Sequence, residues 1–154
     1  MSPSYLTDVG SFLAAAVCGS SEDTNAPVVI VAASTGDNVK VTGESIDLLD
    51  KGDSALLVVT GMATLTAAKL ATIAAELQES SDNSSWDTAE VVYAAATVAS
   101  GTGENHFVKA TSIALKARKR YIRFNLTPNL THTSTDVMTY SAALVMSDNV
   151  LPAA

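Results

Sequence analysis

The residues able to do chemistry in this chain are few and poorly placed for it. The two histidines, His106 and His132, are expected in separate polar loops with no second strong ligand beside either. A metal site needs converging His, Cys or carboxylate donors, so both read as surface residues. Cys18 is the single cysteine; it follows Ala14, Ala15, Ala16 and Val17, and the nearest basic residue in sequence is Lys40. A reactive thiolate needs positive charge close by, and without it a small apolar role is expected. Asp47, Asp50 and Asp53 offer carboxylate oxygens in one stretch, but lack the alternating donors and closing glutamate of a calcium loop. Gly101-Thr102-Gly103-Glu104-Asn105 resembles half of a phosphate-binding loop without its lysine and following helix, which leaves a turn between strands. No Gly-x-Ser-x-Gly elbow is present. The sequons at Asn83, Asn125 and Asn129 are chance events in a Ser/Thr-rich chain. No catalytic residue, cofactor or metal site is expected.

One local anomaly of charge remains. Lys116, Arg118, Lys119, Arg120 and Arg123 are five of the nine positive residues. A single unbroken strand would send them to both faces, so a turn is expected near Ala117 to Lys119. The strand that follows then points Ile122, Phe124 and Leu126 inward, with Tyr121, Arg123 and Asn125 outward. The basic cluster has two open roles. It neutralises the chain's own carboxylates, or it docks on an acidic protein surface through oriented arginine forks.

The elements that would position these groups read as strands. The chain has 154 residues, 47% of them hydrophobic and 16% charged, which excludes disorder and fits one domain. A net charge of −7 repels a phosphate backbone, so nucleic acid is not an expected partner. No apolar run is long enough for a membrane span, and one cysteine excludes an intrachain disulfide framework. Ala, Ser and Thr make up more than a third of the chain; residues this small build thin, closely packed layers. Residues 1–26 are expected as an N-terminal arm or short helix, and 27–154 as a single domain. Within it Val28 to Ala33, Val39 to Val41, Ala55 to Thr60, Ala89 to Val98, Phe107 to Leu115, Arg120 to Leu126 and Val137 to Met146 read as strands between turn signals. In the last, Met138, Tyr140, Ala142, Leu144 and Met146 share one face. Thr64 to Ser80 fits a helix or a strand. The expected fold is an all-β antiparallel sandwich, jelly-roll or immunoglobulin-like. Leu56-Leu57-Val58-Val59 and Val28-Val29-Ile30-Val31 are aliphatic on both faces, however, where a sandwich strand should show one polar face. Their outer faces are covered either by parts of this chain or by another subunit.

Leu77-Gln78-Glu79-Ser80-Ser81-Asp82-Asn83-Ser84-Ser85-Trp86-Asp87 forms a hairpin pattern with an Asx-rich turn, and Lys119-Arg120-Tyr121-Ile122-Arg123 follows as an alternating strand. Together they resemble small β-sandwich structural proteins of tailed bacteriophages, over roughly Ser54 to Pro152. The resemblance implies strand rather than helix before Glu79. It also implies a non-enzymatic virion component. Trp86, by its size, is expected in the core with Ile122 and Phe124. A cement (decoration) protein on the outer capsid surface fits the small size and acidity. Its implied partners are the major capsid protein and copies of itself, as a trimer, with no nucleic acid and no membrane. Lys116, Arg118, Lys119, Arg120 and Arg123 are then candidate contacts. A tail-tube or head–tail joining protein is the alternative within the virion. A carbohydrate-binding module is the alternative from another class, and it would need exposed aromatic rings.

Overall fold

The computed structural model describes residues 13–17, 29–32, 38–66, 69–131 and 135–148. Ten strands follow in chain order: β1 (Leu13–Val17), β2 (Val29–Ala32), β3 (Val41–Thr42), β4 (Ile46–Asp47), β5 (Lys51–Leu65), β6 (Leu70–Ser80), β7 (Glu90–Ser100), β8 (Gly103–Ala114), β9 (Tyr121–Leu130) and β10 (Val137–Asp148). They form two five-stranded antiparallel sheets. One sheet runs β1-β10-β5-β8, with β2 also on β10; the other runs β3-β9-β6-β7, with β4 also on β9. We call these the first and second sheets. The fold is the all-β antiparallel sandwich expected from the sequence.

Alternation builds the core. Ala55, Leu57, Val59, Ala63 and Leu65 of β5 face inward, as do Met138, Tyr140, Ala142, Leu144 and Met146 of β10. Ala71, Ile73, Ala75 and Leu77 of β6 meet them from the second sheet, together with Ile122, Phe124 and Leu126 of β9. Ile122 and Phe124 are 0% and 1% exposed. Within the ambiguous segment Thr64 and Leu65 close β5 and Leu70–Ser80 is strand: read with period two, its alanines and Ile73 bury one face, and β9 and β7 pair with its two edges. Tertiary pairing overrides the helix propensity of its alanines. The described part of the N-terminal arm is also strand, since Leu13–Val17 pairs with Ser147 to Ala143 of β10. The rest of residues 1–26, Cys18 included, lies outside the described residues.

The chain crosses between sheets at most of its later connections. At β7–β8, Gly101 and Gly103 take φ of +100° and +92°, a backbone region glycine enters without strain. This is the turn anticipated at Gly101-Thr102-Gly103. Two other crossings are tied together by Asp136, which is 1% exposed. Its Oδ1 accepts from the Thr66 backbone N–H and from Thr66 Oγ1, both at 2.8 Å. That pair joins the β5–β6 connection to the β9–β10 connection. At β8–β9, Ala117 takes φ +70°, which places a turn where the basic residues require one.

Gly61 is needed for close approach. An added Cβ there would stand 2.3 Å from the Thr139 carbonyl oxygen of β10 and 2.6 Å from Phe107 Cζ of β8.

Candidate interaction surfaces

The outer faces of the two sheets differ in kind. On the first sheet, the outward positions of β5 are Leu56, Val58, Thr60 and Met62; those of β8 include Val108, Ala110 and Ser112; those of β10 are Val137, Thr139, Ser141, Ala143 and Val145. None of these carries charge. Val108 is 74% exposed, Leu56 38% and Val137 37%. Glu104 and His106 lie at one end of β8, so His106 sits on a strand rather than in the polar loop expected for it. His132 lies outside the described residues. A shallow depression of about 390 Å³ lies here, lined by Thr60, Met62, His106, Thr139 and Ser141 beside Gly61 and Tyr140. Three strands about 4.8 Å apart and eleven residues long at about 3.4 Å each give a face of roughly 500 Å². Its exposed large apolar side chains, Leu56, Val108 and Val137, stand among Thr, Ser and Ala with no charged neighbour in these rows.

The second sheet is ion-paired instead. Lys40 Nζ meets Glu76 at 2.5 Å on its outer face. Arg118 Nη1 lies 2.6 Å from Glu79 and 2.5 Å from Glu90. Lys119 reaches Asp87 at 2.7 Å, and Arg120 holds Asp47 through Nη2 at 2.8 Å and Nε at 3.1 Å. These pairs shift the groups as ion pairing should. The hydrogen bond from Arg120 holds the Asp47 carboxyl below its usual range, and Arg118 does the same to Glu90. Glu90 and Glu79 in turn push Arg118 up. Asp47 also accepts the Leu49 N–H at 2.9 Å. Of the three aspartates, Asp47 ends β4 and Asp53 lies in β5, so only Asp50 is in a connection; Asp47 is committed to an arginine, and among the described residues no three His, Cys, Asp or Glu converge as a metal site.

The basic cluster is divided by these contacts. Arg118, Lys119 and Arg120 neutralise carboxylates of their own chain. Lys116 is exposed on the turn, where its backbone N–H donates to the Asp53 carbonyl at 3.1 Å. Arg123 makes no ion pair among the described residues. Its Nε donates to Gln78 Oε1 at 3.0 Å, and its guanidinium carbon lies 4.2 Å from the Trp86 ring centroid.

Besides His106, two further positions differ from the sequence expectation. Trp86 is not in the core: it is half-buried, in the loop between β6 and β7, with Arg123 over its ring. Backbone hydrogen bonding holds that loop along β6, as Asp87 N–H donates to Glu79 O at 2.9 Å and Gln78 Nε2 to Asp87 O at 2.8 Å. The ring therefore meets the outward row of Gln78 and Arg123. The inner layer meanwhile is filled by Leu77, Phe124 and several alanines. Asn125 lies on the outward row as expected but is 3% exposed, its Nδ2 donating to Gln78 Oε1 at 3.0 Å. The loop itself is organised by Asp82, whose Oδ1 accepts from the Ser84 and Ser85 backbones at 2.9 and 2.8 Å and from Ser80 Oγ at 2.9 Å. Asn83 takes φ +58° beside it. The Asx-rich turn was legible for this reason.

No family model and no curated protein matches the chain. Among solved structures, an infectious bursal disease virus VP2 subviral particle is similar at 10% identity and a TM-score of 0.50, over 89% of this chain and 33% of that one. The structure of the Gx strain of the same virus is similar at 12% identity and a TM-score of 0.49, over 90% and 33%. A Clostridium thermocellum xylanase 10B fragment with CBM22-1 and GH10 modules gives 14% identity and a TM-score of 0.38, over 90% and 27%. The chain spans about a third of the length of the viral structures it matches. At such identities the likeness is one of fold: a β-sandwich of the kind found in a viral capsid protein.

Proposed function

We propose that the protein is a non-enzymatic structural component of a virion, a cement protein of tailed-phage type seated on the outside of a capsid shell. The observation that carries this reading is the uncharged outer face of the first sheet. A sandwich that stood alone in water would place charge on both outer faces, as the second sheet does with its ion pairs. Covering the first face with neighbouring polypeptide removes apolar surface from water, which stabilises the assembly by about 25 cal/mol per Å². A face of roughly 500 Å² is less than the ~800 Å² per partner of a stable interface. Each copy therefore adds its share through several contacts, with capsid subunits and with two further copies as a trimer. The fold likeness to VP2 supports a place in a shell, and the charge of −7 supports an outer position away from packaged nucleic acid.

Reconstruction of the particle that carries the protein tests this. Cement predicts hundreds of copies on the shell, with β5, β8 and β10 facing neighbouring chains, and particles lacking the protein that break at lower temperature. Copies confined to the tail in multiples of six would replace cement with a tail tube. Copies that leave the first sheet open to solvent would remove the basis of the proposal.

A further inference from the structure

Among the described residues Arg123 is the one arginine of three without a carboxylate. Arg118 holds Glu79 and Glu90, and Arg120 holds Asp47. Two other carboxylates of this sheet and its loop are also engaged, Glu76 by Lys40 and Asp87 by Lys119. Its two Nη groups make no hydrogen bond among the described residues, while Nε is fixed by Gln78 and one face of the guanidinium is covered by Trp86. Gln78 is itself held at both ends, by Asn125 Nδ2 at 3.0 Å and by the Asp87 carbonyl at 2.8 Å. Burial lowers the Arg123 pKa from its ordinary value with no anion to offset it, yet a guanidinium stays protonated in proteins. The result is a desolvated, oriented positive fork with its outer edge unpaired.

We propose that Arg123, braced by Trp86 and Gln78, is a docking site for a carboxylate side chain of a partner polypeptide. The Nη edge of a guanidinium matches the two oxygens of a carboxylate. Stacking on an indole fixes the fork before the partner arrives, so little ordering remains to oppose binding. Trp and Arg side by side, half-buried, are also the composition of interface hot spots. A single guanidinium suits a singly charged carboxylate better than a phosphate dianion. The site lies on the sheet opposite the uncharged face, so it does not depend on what covers that face.

Trp86 is the only tryptophan, so intrinsic emission reports on this site alone. The test is a titration of the full chain with hexaglutamate peptide at constant ionic strength, with each variant's fold checked by circular dichroism. A saturable change in Trp86 emission is expected. Arg123→Gln should abolish it, and Arg123→Lys, which keeps the charge and loses the fork, should weaken it roughly tenfold. Arg120→Gln should leave it unchanged. If Arg123→Gln does not fold, the lysine variant carries the comparison. The absence of saturation, or equal saturation in the Arg123 variant that folds, would overturn the proposal. So would an equal loss in Arg120→Gln, or equal saturation by inorganic phosphate or xylohexaose.

Discussion

Gly61→Ala places a methyl group where the fold has no room. Its Cβ would stand 2.3 Å from the Thr139 carbonyl oxygen, 2.6 Å from Phe107 Cζ and 3.0 Å from Tyr140 Cα. Favourable contacts begin at about 3.5 Å, so the overlap with the oxygen exceeds about 1 Å. Phe107 could turn aside at some loss of packing. The Thr139 oxygen cannot, because it belongs to backbone in the ladder between β5 and β10, where Gly61 pairs with Tyr140. Overpacking typically costs about 1–3 kcal/mol, and a clash with fixed backbone belongs at the top of that range. With a urea m-value of about 2 kcal/mol/M, a loss of 3 kcal/mol lowers the unfolding midpoint by roughly 1.5 M. Thr60→Ala, one residue away on the exposed face, should stay within about 0.5 kcal/mol. Urea unfolding followed by circular dichroism reads both. A Gly61→Ala shift below about 0.5 M would refute the argument that this approach of β5 and β10 needs glycine.

Tyr140→Phe should leave stability unchanged or raise it by up to about 1 kcal/mol, because the Tyr140 hydroxyl is buried without a partner among the described residues; thermal unfolding checks the sign. Burial also pushes the Tyr93 phenol up to about 12 and raises Tyr140 further, with Tyr93 adding to it. A raised folded pKa means stability fully present below the ordinary value of 10.0 and lost as pH rises through the folded value. Unfolding midpoints should therefore fall between pH 10 and 12, and less so in the Tyr93→Phe variant. Asp82→Ala should destabilise the β6–β7 loop at neutral pH. Hydrogen bonds from Ser85, Ser84 and Ser80 hold the Asp82 carboxyl far below its ordinary 3.8. That contribution is present above pH 3.8 and lost as pH falls, so the difference between wild type and variant should shrink below it, as read by acid titration of the unfolding midpoint.

Much of the fold was legible because its signals are local. The alternation of Met138 to Met146 and of Ile122 to Leu126 named the buried faces, since a strand buries every second side chain. The turn at Ala117 followed from charges that no single sandwich strand could carry. Thr64 to Ser80 was not decided by its own residues; pairing with β9 over ten positions settles Ala71 to Ser80 as strand. Trp86 was misplaced because size alone suggested burial, whereas a loop held to the backbone of β6 turns the ring outward. The division of the basic cluster was illegible for a related reason. The partners Asp47, Glu79, Asp87 and Glu90 come from three different stretches of chain, and sequence spacing does not show which carboxylates meet which arginines. Among the described residues Arg123 faces an amide and an indole rather than a carboxylate, which its place in the sequence does not show either.

The central claim is that the outer face of the first sheet is covered by protein in the assembled particle. Met62 reports on it directly, being half-buried on that face, while Met138 and Met146 are 0% and 3% exposed toward the core. Peroxide oxidation of Met62, followed by peptide mass spectrometry, should be compared in the free chain and in the intact particle. The account predicts that Met62 oxidises readily in the free chain and is protected roughly tenfold or more in the particle, because oxidation follows access to the thioether. Equal rates in the two states would contradict it.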